Sequence, residues 1–348
     1  MRFACPDKTQ MGLPDYSPII ELIEAFRRSK AMFAAVSLGV FDLLKRGPAD
    51  AATLASELQV ASEPLERLLD ACVGLMLLRK NGACYENAPV ASTYLCRENE
   101  RSLTGYILYS NDVLFPLWTH LEDAIREGTP RWKQAFGKEG AIFDHFFKTE
   151  EAKQTFIKGM HGLGVLSSPK VVEAFDLSRF GKLVDLGGAT GHLAISACER
   201  YPNLRALVFD LPQVIEAAHV EVNKSTASQR IDLVAGDFFR DELPGADLFA
   251  ISRILHDWSE DKINTLLKKI YHRLPAGGGI LLAEKLLNED KSGPASAHMQ
   301  SLNMLVCTEG KERTLGEYRR LLQDAGFQNV QGRMTGSPLD VVLGIKPA

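Results

Sequence analysis

Apolar residues recur at helical spacing near the start of the chain, where Ile19, Ile20, Ile23 and Phe26 form one stripe that predicts a helix. A second helix is expected from about Lys30 to Leu44, stopped by Arg46-Gly47-Pro48. Ala51 to Leu58 reads as a short helix. Ser62 reads as the N-cap of a longer one, with Leu65, Leu68, Leu69, Cys72, Val73 and Met76 on its apolar side. Lys80-Asn81-Gly82 is a turn signal, and Leu77 to Arg79 can pair with Cys84 to Tyr85 as a hairpin. Helices followed by a hairpin predict a winged-helix arrangement over residues 16–98. Residues 1 to 15, polar and carrying Pro6 and Pro14, read as a tail or linker.

Residues 101 to 175 read as helical and aromatic, with Tyr106, Tyr109, Phe115, Trp118, Trp132, Phe136, Phe143, Phe146 and Phe147. Some must fill a core, and such a segment can also roof an apolar pocket. From Lys182 the period changes. Lys182 to Leu186 reads as a strand entering a glycine turn, and Gly191 to Arg200 as the helix after it. Arg205 to Phe209 is a second strand, followed by a helix over Gln213 to Val222. Ile231 to Ala235, Ala246 to Ala250 and Gly279 to Leu282 are further strands, the last after a helix from about Ser259 to Arg273. This alternation predicts an α/β domain with a mostly parallel sheet covered on both faces. Leu315 to Ala325 is a late helix ended by Gly326. Asn329 to Met334 and Val341 to Ile345 are read as an antiparallel pair at one edge.

The length of 348 residues, 45% hydrophobic and 24% charged, accommodates two cores. Forty basic residues against 44 acidic ones leave a formal charge of -4, which gives no global preference for a polyanion. The winged-helix shape still raises DNA binding, with the helix after Ser62 as the reader. Glu63, Glu66 and Asp70 put acid on its polar face against Arg67 alone, whereas phosphate contact requires Lys and Arg. No nucleic-acid partner is expected. The surplus apolar residues Phe33, Val36, Val40 and Phe41 are expected to be buried against another subunit. Apolar stretches such as 73–78 and 279–283 fall far short of the ~20 residues that cross a bilayer, and residues 1–11 lack the apolar core of a secretory signal. No membrane partner is expected. The six cysteines contain no C-x-x-C pair; Cys72 and Cys198 lie in apolar or helical contexts and read as small buried hydrophobes, and the protein as reduced and cytoplasmic, without a disulfide framework or zinc site.

The turn Asp185-Leu186-Gly187-Gly188-Ala189-Thr190-Gly191 lets backbone pass close to a ligand while the next helix presents free N–H groups. Asp210 ends the second strand, where a carboxylate can take both hydroxyls of a ribose. Asp237 and Phe238 follow the third strand and suit the edge and face of adenine. Asp185 is costly there unless it meets backbone donors or a cationic ligand. A nicotinamide cofactor is the rival, but alanine at 189 and His192 break the Gly-x-Gly-x-x-Gly spacing, and no Walker-type loop is present. S-adenosylmethionine has no pyrophosphate to hold, so the mismatch favours it.

Ile254-Leu255-His256-Asp257-Trp258 lies just past the fourth strand, on the side of the sheet where open α/β folds keep their chemistry. His256 can take a proton from a phenol-like hydroxyl, with Glu284 or Glu312 fixing its tautomer. The plainer alternatives are a core histidine, Asp257 as a solvated helix cap, Trp258 as a wall, and Glu284 in an ion pair with Lys285 or Arg313. The histidines at 120, 145, 161, 192, 219, 272 and 298 show no metal-ligand spacing and read as surface or core residues, and no metal is expected.

Ala35 to Leu44, the D-L-G-G-A-T-G turn, F-D-L-P at 209–212, G-D-F-F at 236–239, R-I-L-H-D-W at 253–258, S-L-N-M-L at 301–305 and E-G-K-E-R-T at 309–314 also carry a resemblance. From residue 16 onward the chain resembles the acetylserotonin (hydroxyindole) O-methyltransferase family, and within it the acetylserotonin O-methyltransferase-like branch. The resemblance implies a Rossmann-like S-adenosylmethionine-dependent methyltransferase domain over 176–348. It also implies a winged-helix dimerisation domain over 16–98 and a helical pocket-lining segment over 99–175. It implies His256 as general base flanked by Glu284 and Glu312. The cofactor would be held by Asp185, Gly187, Gly188, Asp210, Leu211, Asp237, Phe238 and Arg253. Trp118, Asn303 and Met304 would lie near a small aromatic acceptor, joined by Phe33 from the partner of a homodimer. Ala189 replaces a glycine common in relatives and is expected to be tolerated provided that φ is negative there. The branch also implies a Maf-like domain preceding this region in a longer parent chain. Two function classes follow: an active hydroxyl methyltransferase, and a weak or inactive cofactor-binding dimeric scaffold. Transcriptional regulation through the wing is a third.

Overall fold

The computed structural model describes residues 14–137 and 149–348; Phe143, Phe146, Phe147, His145 and most of the N-terminal tail lie outside the described residues. The chain divides into two compact units, the second beginning at Thr93.

In the first unit the two expected N-terminal helices are one helix, α1 (Ser17–Leu38). Nothing between Phe26 and Lys30 interrupts it, and it ends at Gly39, whose φ of 83° admits the left-handed cap that starts α2 (Val40–Leu44). Ala35 and Val36 are buried near the end of α1, while Ile19, Leu22, Ile23 and Phe26 near its start are more than half exposed. The helix α3 (Ala51–Leu58) is capped by Asp50, whose side chain accepts the Thr53 N–H at 2.7 Å. In α4 (Ser62–Gly74) the cap position belongs to Ala61, so Ser62 is the first helical residue and not the cap. Leu65, Leu69 and Cys72 are buried as expected, but Met76 lies past the helix end with φ 59° and is 79% exposed. The hairpin β2 (Leu78–Asn81) and β3 (Cys84–Asn87) forms, and β1 (Ala49–Asp50), too short to leave a sequence pattern, pairs with β3. On α4 Arg67 pairs with Glu63, and Lys80 of β2 lies 2.7 Å from Asp70.

In the second unit α5 (Thr104–Tyr109) packs on α6 (Glu150–Glu173), with Gly105 and Gly159 so close that a Cβ at 105 would stand 2.7 Å from Gly159 N. Among the described residues the main sheet has seven strands: β4 (Lys182–Leu186), β5 (Arg205–Asp210), β6 (Ile231–Ala235), β7 (Leu248–Ser252), β8 (Gly279–Glu284), β11 (Gln328–Arg333) and β12 (Asp340–Ile345). Their order is β11-β12-β8-β7-β4-β5-β6. The five from β8 to β6 run parallel, and β12 and β11 add the antiparallel edge. The fourth strand starts at Leu248 and not at Ala246; just before it the Asp247 backbone donates to Lys182 O at 3.2 Å and accepts the Gly279 N–H at 2.9 Å, and its carboxylate accepts the Gly181 and Lys182 N–H groups at 2.8 Å each.

Alternate residues of each strand face opposite cores. Val184, Leu207, Phe249 and Ile280 pack with α9 (Glu260–Arg273) and α10 (Leu315–Asp324). Leu183, Ala206, Leu248 and Leu281 pack with α7 (His192–Arg200) and α8 (Pro212–Lys224). The chain steps from β4 outward to β5 and β6, then returns to β7 on the other side. That reversal opens a crevice at the carboxyl ends of β4 and β7.

Candidate active site

The glycine turn after β4 follows from local sterics. Gly187 has φ 67°, and a Cβ there would lie 2.7 Å from Ile254; a Cβ at Gly188 would lie 2.7 Å from the Asp185 carboxyl. Ala189 has φ 48°, so the condition on which it is expected to be tolerated, a negative φ, is not met: the alanine occupies left-handed backbone. It is held there because its N–H donates to Asp210 Oδ2 at 2.8 Å, while the Leu211 N–H donates to Oδ1 at 2.7 Å. Burial pushes the Asp210 carboxyl up to about 6 against those two donors. Asp185 is buried behind the turn, where the Ala194 N–H favours its charged form but no hydrogen bond of ordinary geometry reaches either oxygen among the described residues. Burial, then the charge of Asp210, push it up to about 7.

The helix α6 clamps this turn. His161 Nδ1 lies 2.8 Å from Thr190 Oγ1, and Ser168 Oγ lies 2.8 Å from His192 Nδ1. Gly164 permits the approach, since a Cβ there would overlap the His192 ring. Burial pushes His192 down to about 3, so it is a neutral group.

A cavity of about 310 Å³ opens along the turn. Gly187, Asp210, Leu211, Asp237 and Phe238 line one part of it; Tyr106, Tyr109, Met160, Asn303, Met304 and Cys307 line another, together with Arg253 and His256. Phe238 meets Phe239 at a tilt with ring centroids 4.8 Å apart, and Phe239 meets Trp258 edge-on at 5.1 Å, which makes Trp258 a wall. Gly236 precedes this aromatic pair because a Cβ there would overlap the Phe209 ring.

His256 is placed by a short turn after β7, and its carboxylate partners come from elsewhere in the chain. The two-residue strands β9 (Leu286–Leu287) and β10 (Arg313–Thr314) pair in parallel with Arg313 opposite Leu286, bringing Glu312 beside the end of β8. His256 Nδ1 lies 2.7 Å from Glu312 Oε1 and 3.3 Å from Glu284 Oε2. Glu284 Oε1 accepts the N–H groups of Ile254 and Leu255 at 3.0 and 2.9 Å, and makes no ion pair with Lys285 or Arg313 among the described residues. Burial opposes the charged ring, but Glu284, Glu312 and Asp257 outweigh it and push His256 up to about 10. Glu284 itself is pushed up to about 7, chiefly by burial. His256 reaches the cavity wall; the two glutamates lie behind it. The same three donor atoms lie within 4.8 Å of one another, a metal-like set, but the 2.7 Å contact is the length of a hydrogen bond carrying a proton.

Of the residues singled out from sequence, Gly187, Asp210, Leu211, Asp237, Phe238, Arg253, His256, Asn303 and Met304 share the cavity. Asp185, Gly188, Glu284 and Glu312 support it from behind. Trp118 lines an adjoining pocket and donates through Nε1 to Asn303 Oδ1 at 2.8 Å. Phe33 lies half-buried on α1 of the first unit. Asp257 is not a solvated cap: Ser259 holds that position, and the Asp257 carboxylate lines the cavity 3.8 Å from His256 Nε2, pushed up to about 6 by burial. The histidines of the α6 clamp leave no metal-ligand spacing in the sequence, because their partners are the hydroxyls of Thr190 and Ser168.

Residues 118–328 match the O-methyltransferase domain and residues 20–97 the O-methyltransferase dimerisation domain. The chain is 45% identical over 98% of its length to the Homo sapiens "probable bifunctional dTTP/UTP pyrophosphatase/methyltransferase protein", of which it spans 56%. It is 42% identical over 95% of its length to acetylserotonin O-methyltransferase of Gallus gallus, of which it spans 98%. The crystal structure of human N-acetylserotonin methyltransferase in complex with S-adenosylmethionine superposes with a TM-score of 0.91 at 38% identity, covering 97% of this chain and all of that one. A glycine turn, an acid at the end of β5 and a carboxylate-backed histidine, arranged on this fold, agree with those matches, and the chain belongs to the O-methyltransferase family, among the acetylserotonin O-methyltransferase-like proteins.

Proposed function

We propose that the protein is an S-adenosylmethionine-dependent O-methyltransferase acting on a small aromatic hydroxyl compound, with His256 as its general base. The carrying observation is that His256, backed by Glu284 and Glu312 from outside the cavity, itself reaches the cavity that Gly187 and Asp210 also line.

The residues present fit S-adenosylmethionine. Each Asp210 oxygen holds one backbone donor and keeps lone pairs for a ribose hydroxyl. Phe238 offers a flat face and Asp237 an acceptor for adenine. Glycine at 187 leaves the close approach that any Cβ would fill, and the unpartnered Asp185 suits a cationic ligand. When bound, S-adenosylmethionine supplies a methyl group activated by its sulfonium. Nε2 of His256 receives the hydroxyl proton of the acceptor, Glu312 accepts the Nδ1–H, and the two glutamates offset the charge gained by the ring. Enclosure by Phe238, Met304 and Trp258 excludes water, so positioning and desolvation carry most of the rate.

The first unit, of the dimerisation class, is proposed to join two copies into a homodimer. The exposed apolar start of α1 supports this, and Phe33 is proposed to contribute to the partner's acceptor site. Buried thiols at Cys72, Cys198 and Cys307 suit the reducing cytoplasm, where we place the protein.

The test is transfer of a labelled methyl group to a panel of phenols and hydroxyindoles. Acetylserotonin is the first acceptor to try, because the relatives carry its name. Product from at least one member is expected. Tight S-adenosylmethionine binding with no transfer across the panel would establish the scaffold reading instead.

A further inference from the structure

His192 opens α7 directly after the glycine turn and lines the same cavity as Gly187, Asp210 and Arg253. The helix α6 fixes its ring by two contacts. A Cβ at Gly164 would stand 2.2, 2.3 and 2.5 Å from Cδ2, Nε2 and Cε1 of the ring. Only a point over the ring face is that close to all three atoms at once, so the face of His192 lies on the glycine and the edge of the ring is left free. On that edge Nδ1 meets Ser168 Oγ at 2.8 Å, whereas Nε2 has no partner among the described residues.

The contact with Ser168 decides which ring nitrogen carries the hydrogen. Ser168 is 1% exposed, and His192 is the single partner of its hydroxyl among the described residues. A buried hydroxyl keeps its hydrogen bonded, so Oγ–H donates to Nδ1 and the neutral ring carries its own hydrogen on Nε2. Burial, then the charges of His161 and Arg253, keep the ring neutral. His192 therefore offers the cavity one N–H donor of fixed direction. Arg253 is the single arginine or lysine among the described residues that line this cavity, and it stands in the fields of Glu284, Glu312 and Asp257, which offset part of its charge. A group of the ligand that meets both residues must be an acceptor, and an anion suits them best. Asp210, on the same wall, suits hydroxyls instead. S-adenosylmethionine carries one anion, the carboxylate of its amino-acid end.

We propose that the Nε2–H of His192 donates to the carboxylate of the cofactor's amino-acid end, beside Arg253, and that Ser168 positions this donor. The inference rests on the cofactor assignment above. A neutral donor holds the anion without adding positive charge to a cavity that must also receive a sulfonium, which a second cation would repel. Gly164 belongs to the same device, because any side chain there would push the ring off α6 and away from Ser168.

The test is calorimetric binding of S-adenosylhomocysteine and of its decarboxylated counterpart to the unaltered protein, His192→Phe, His192→Gln and Ser168→Ala. His192→Phe keeps an aromatic ring and removes the donor. It should weaken S-adenosylhomocysteine by about tenfold, the size of one hydrogen bond to a charged group, and leave the decarboxylated ligand within about twofold. His192→Gln returns an N–H donor and should recover most of the loss. Ser168→Ala lets the ring take either tautomer and should show the same selectivity in smaller measure. Equal weakening of both ligands by His192→Phe overturns the proposal and makes the ring a packing or ribose contact; unchanged affinity for both overturns it as well. If Ser168→Ala weakens both ligands alike, or neither, Ser168 does not set the donor and the proposal falls on that count. Each of these outcomes leaves the transferase reading in place, whereas an unaltered protein that does not bind S-adenosylhomocysteine overturns both.

Discussion

Glu312 Oε1 stands 2.7 Å from His256 Nδ1, which commits that nitrogen to a buried acceptor and leaves Nε2 for the cavity. Glu312 directly precedes β10 and His256 follows β7, so the pair exists only because β10 docks on β9.

His256→Ala should therefore lower methyl transfer by roughly 100- to 10,000-fold, the usual range for loss of a positioned base. Affinity for S-adenosylmethionine should stay close to that of the unaltered protein, because the turn and Asp210 are intact. Single-turnover transfer and calorimetry separate the two, and a mutant that retains a tenth of the activity would remove His256 from the chemistry.

The pH dependence follows from the same contacts. The base acts when neutral, and the surrounding carboxylates, outweighing burial, push His256 up to about 10. The rate should thus climb with rising pH and still be climbing above the ordinary histidine range. Glu312→Gln removes one negative neighbour, so the ring loses its proton at lower pH and the ascending limb moves down, at a lower maximum because orientation is lost. The groups titrate together, so the limb belongs to the cluster as a whole. A kcat profile whose limb is the same in both proteins would contradict this.

The turn after β4, the alternation of strands and helices and the histidine at 256 were all legible as local pattern: short-range spacing, periodicity and one glycine cluster. What escaped were features made by distant pairing. β9 and β10 are two residues each and carry no periodic signal, yet they decide which carboxylates meet His256. The α6 clamp joins His161 and Ser168 to Thr190 and His192 across a helix–turn contact that no local window contains. The sequence pattern splits the N-terminal helix near Lys30, whereas backbone conformation changes only at Gly39. Ser62 has the composition of a cap, but the backbone enters the helix one residue sooner.

Gly164→Ala should damage the clamp. The added methyl overlaps the His192 ring, so helix and turn must separate, at about 1–3 kcal/mol for overpacking. Thermal unfolding should shift down, and S-adenosylmethionine affinity should fall with it because His192 adjoins the turn. A fall in stability with unchanged affinity would make the clamp a packing contact alone.

Ala189→Gly should do the opposite. Left-handed backbone costs an alanine roughly 1–2 kcal/mol, and the structure keeps φ at 48° through the bond from Ala189 N–H to Asp210. Glycine relieves the strain but adds freedom to the unfolded chain, so the net gain should be smaller, about 1 kcal/mol or less. Chemical denaturation of the two proteins measures it, and a less stable glycine variant would mean that the alanine methyl has packing worth more than the strain.

Asp185 lies buried behind the turn, next to the charge of Asp210. Its carboxyl is raised from 3.8 to about 7 in the folded protein by burial, then by Asp210, whereas in the unfolded chain it takes its ordinary value. Between those two values the folded state binds more protons than the unfolded one, so stability of the ligand-free protein should decline as pH rises through that window. A cationic ligand reverses the preference by favouring the ionised form, and S-adenosylmethionine affinity should accordingly rise as pH increases from about 5 to about 8. Asp185→Asn removes the titration, so it should flatten both profiles and, near neutral pH, stabilise the ligand-free protein while weakening binding. Thermal unfolding across pH, with and without S-adenosylmethionine, reads both arms. A binding profile in Asp185→Asn as steep as in the unaltered protein would assign the dependence to Asp210, which is raised to about 6.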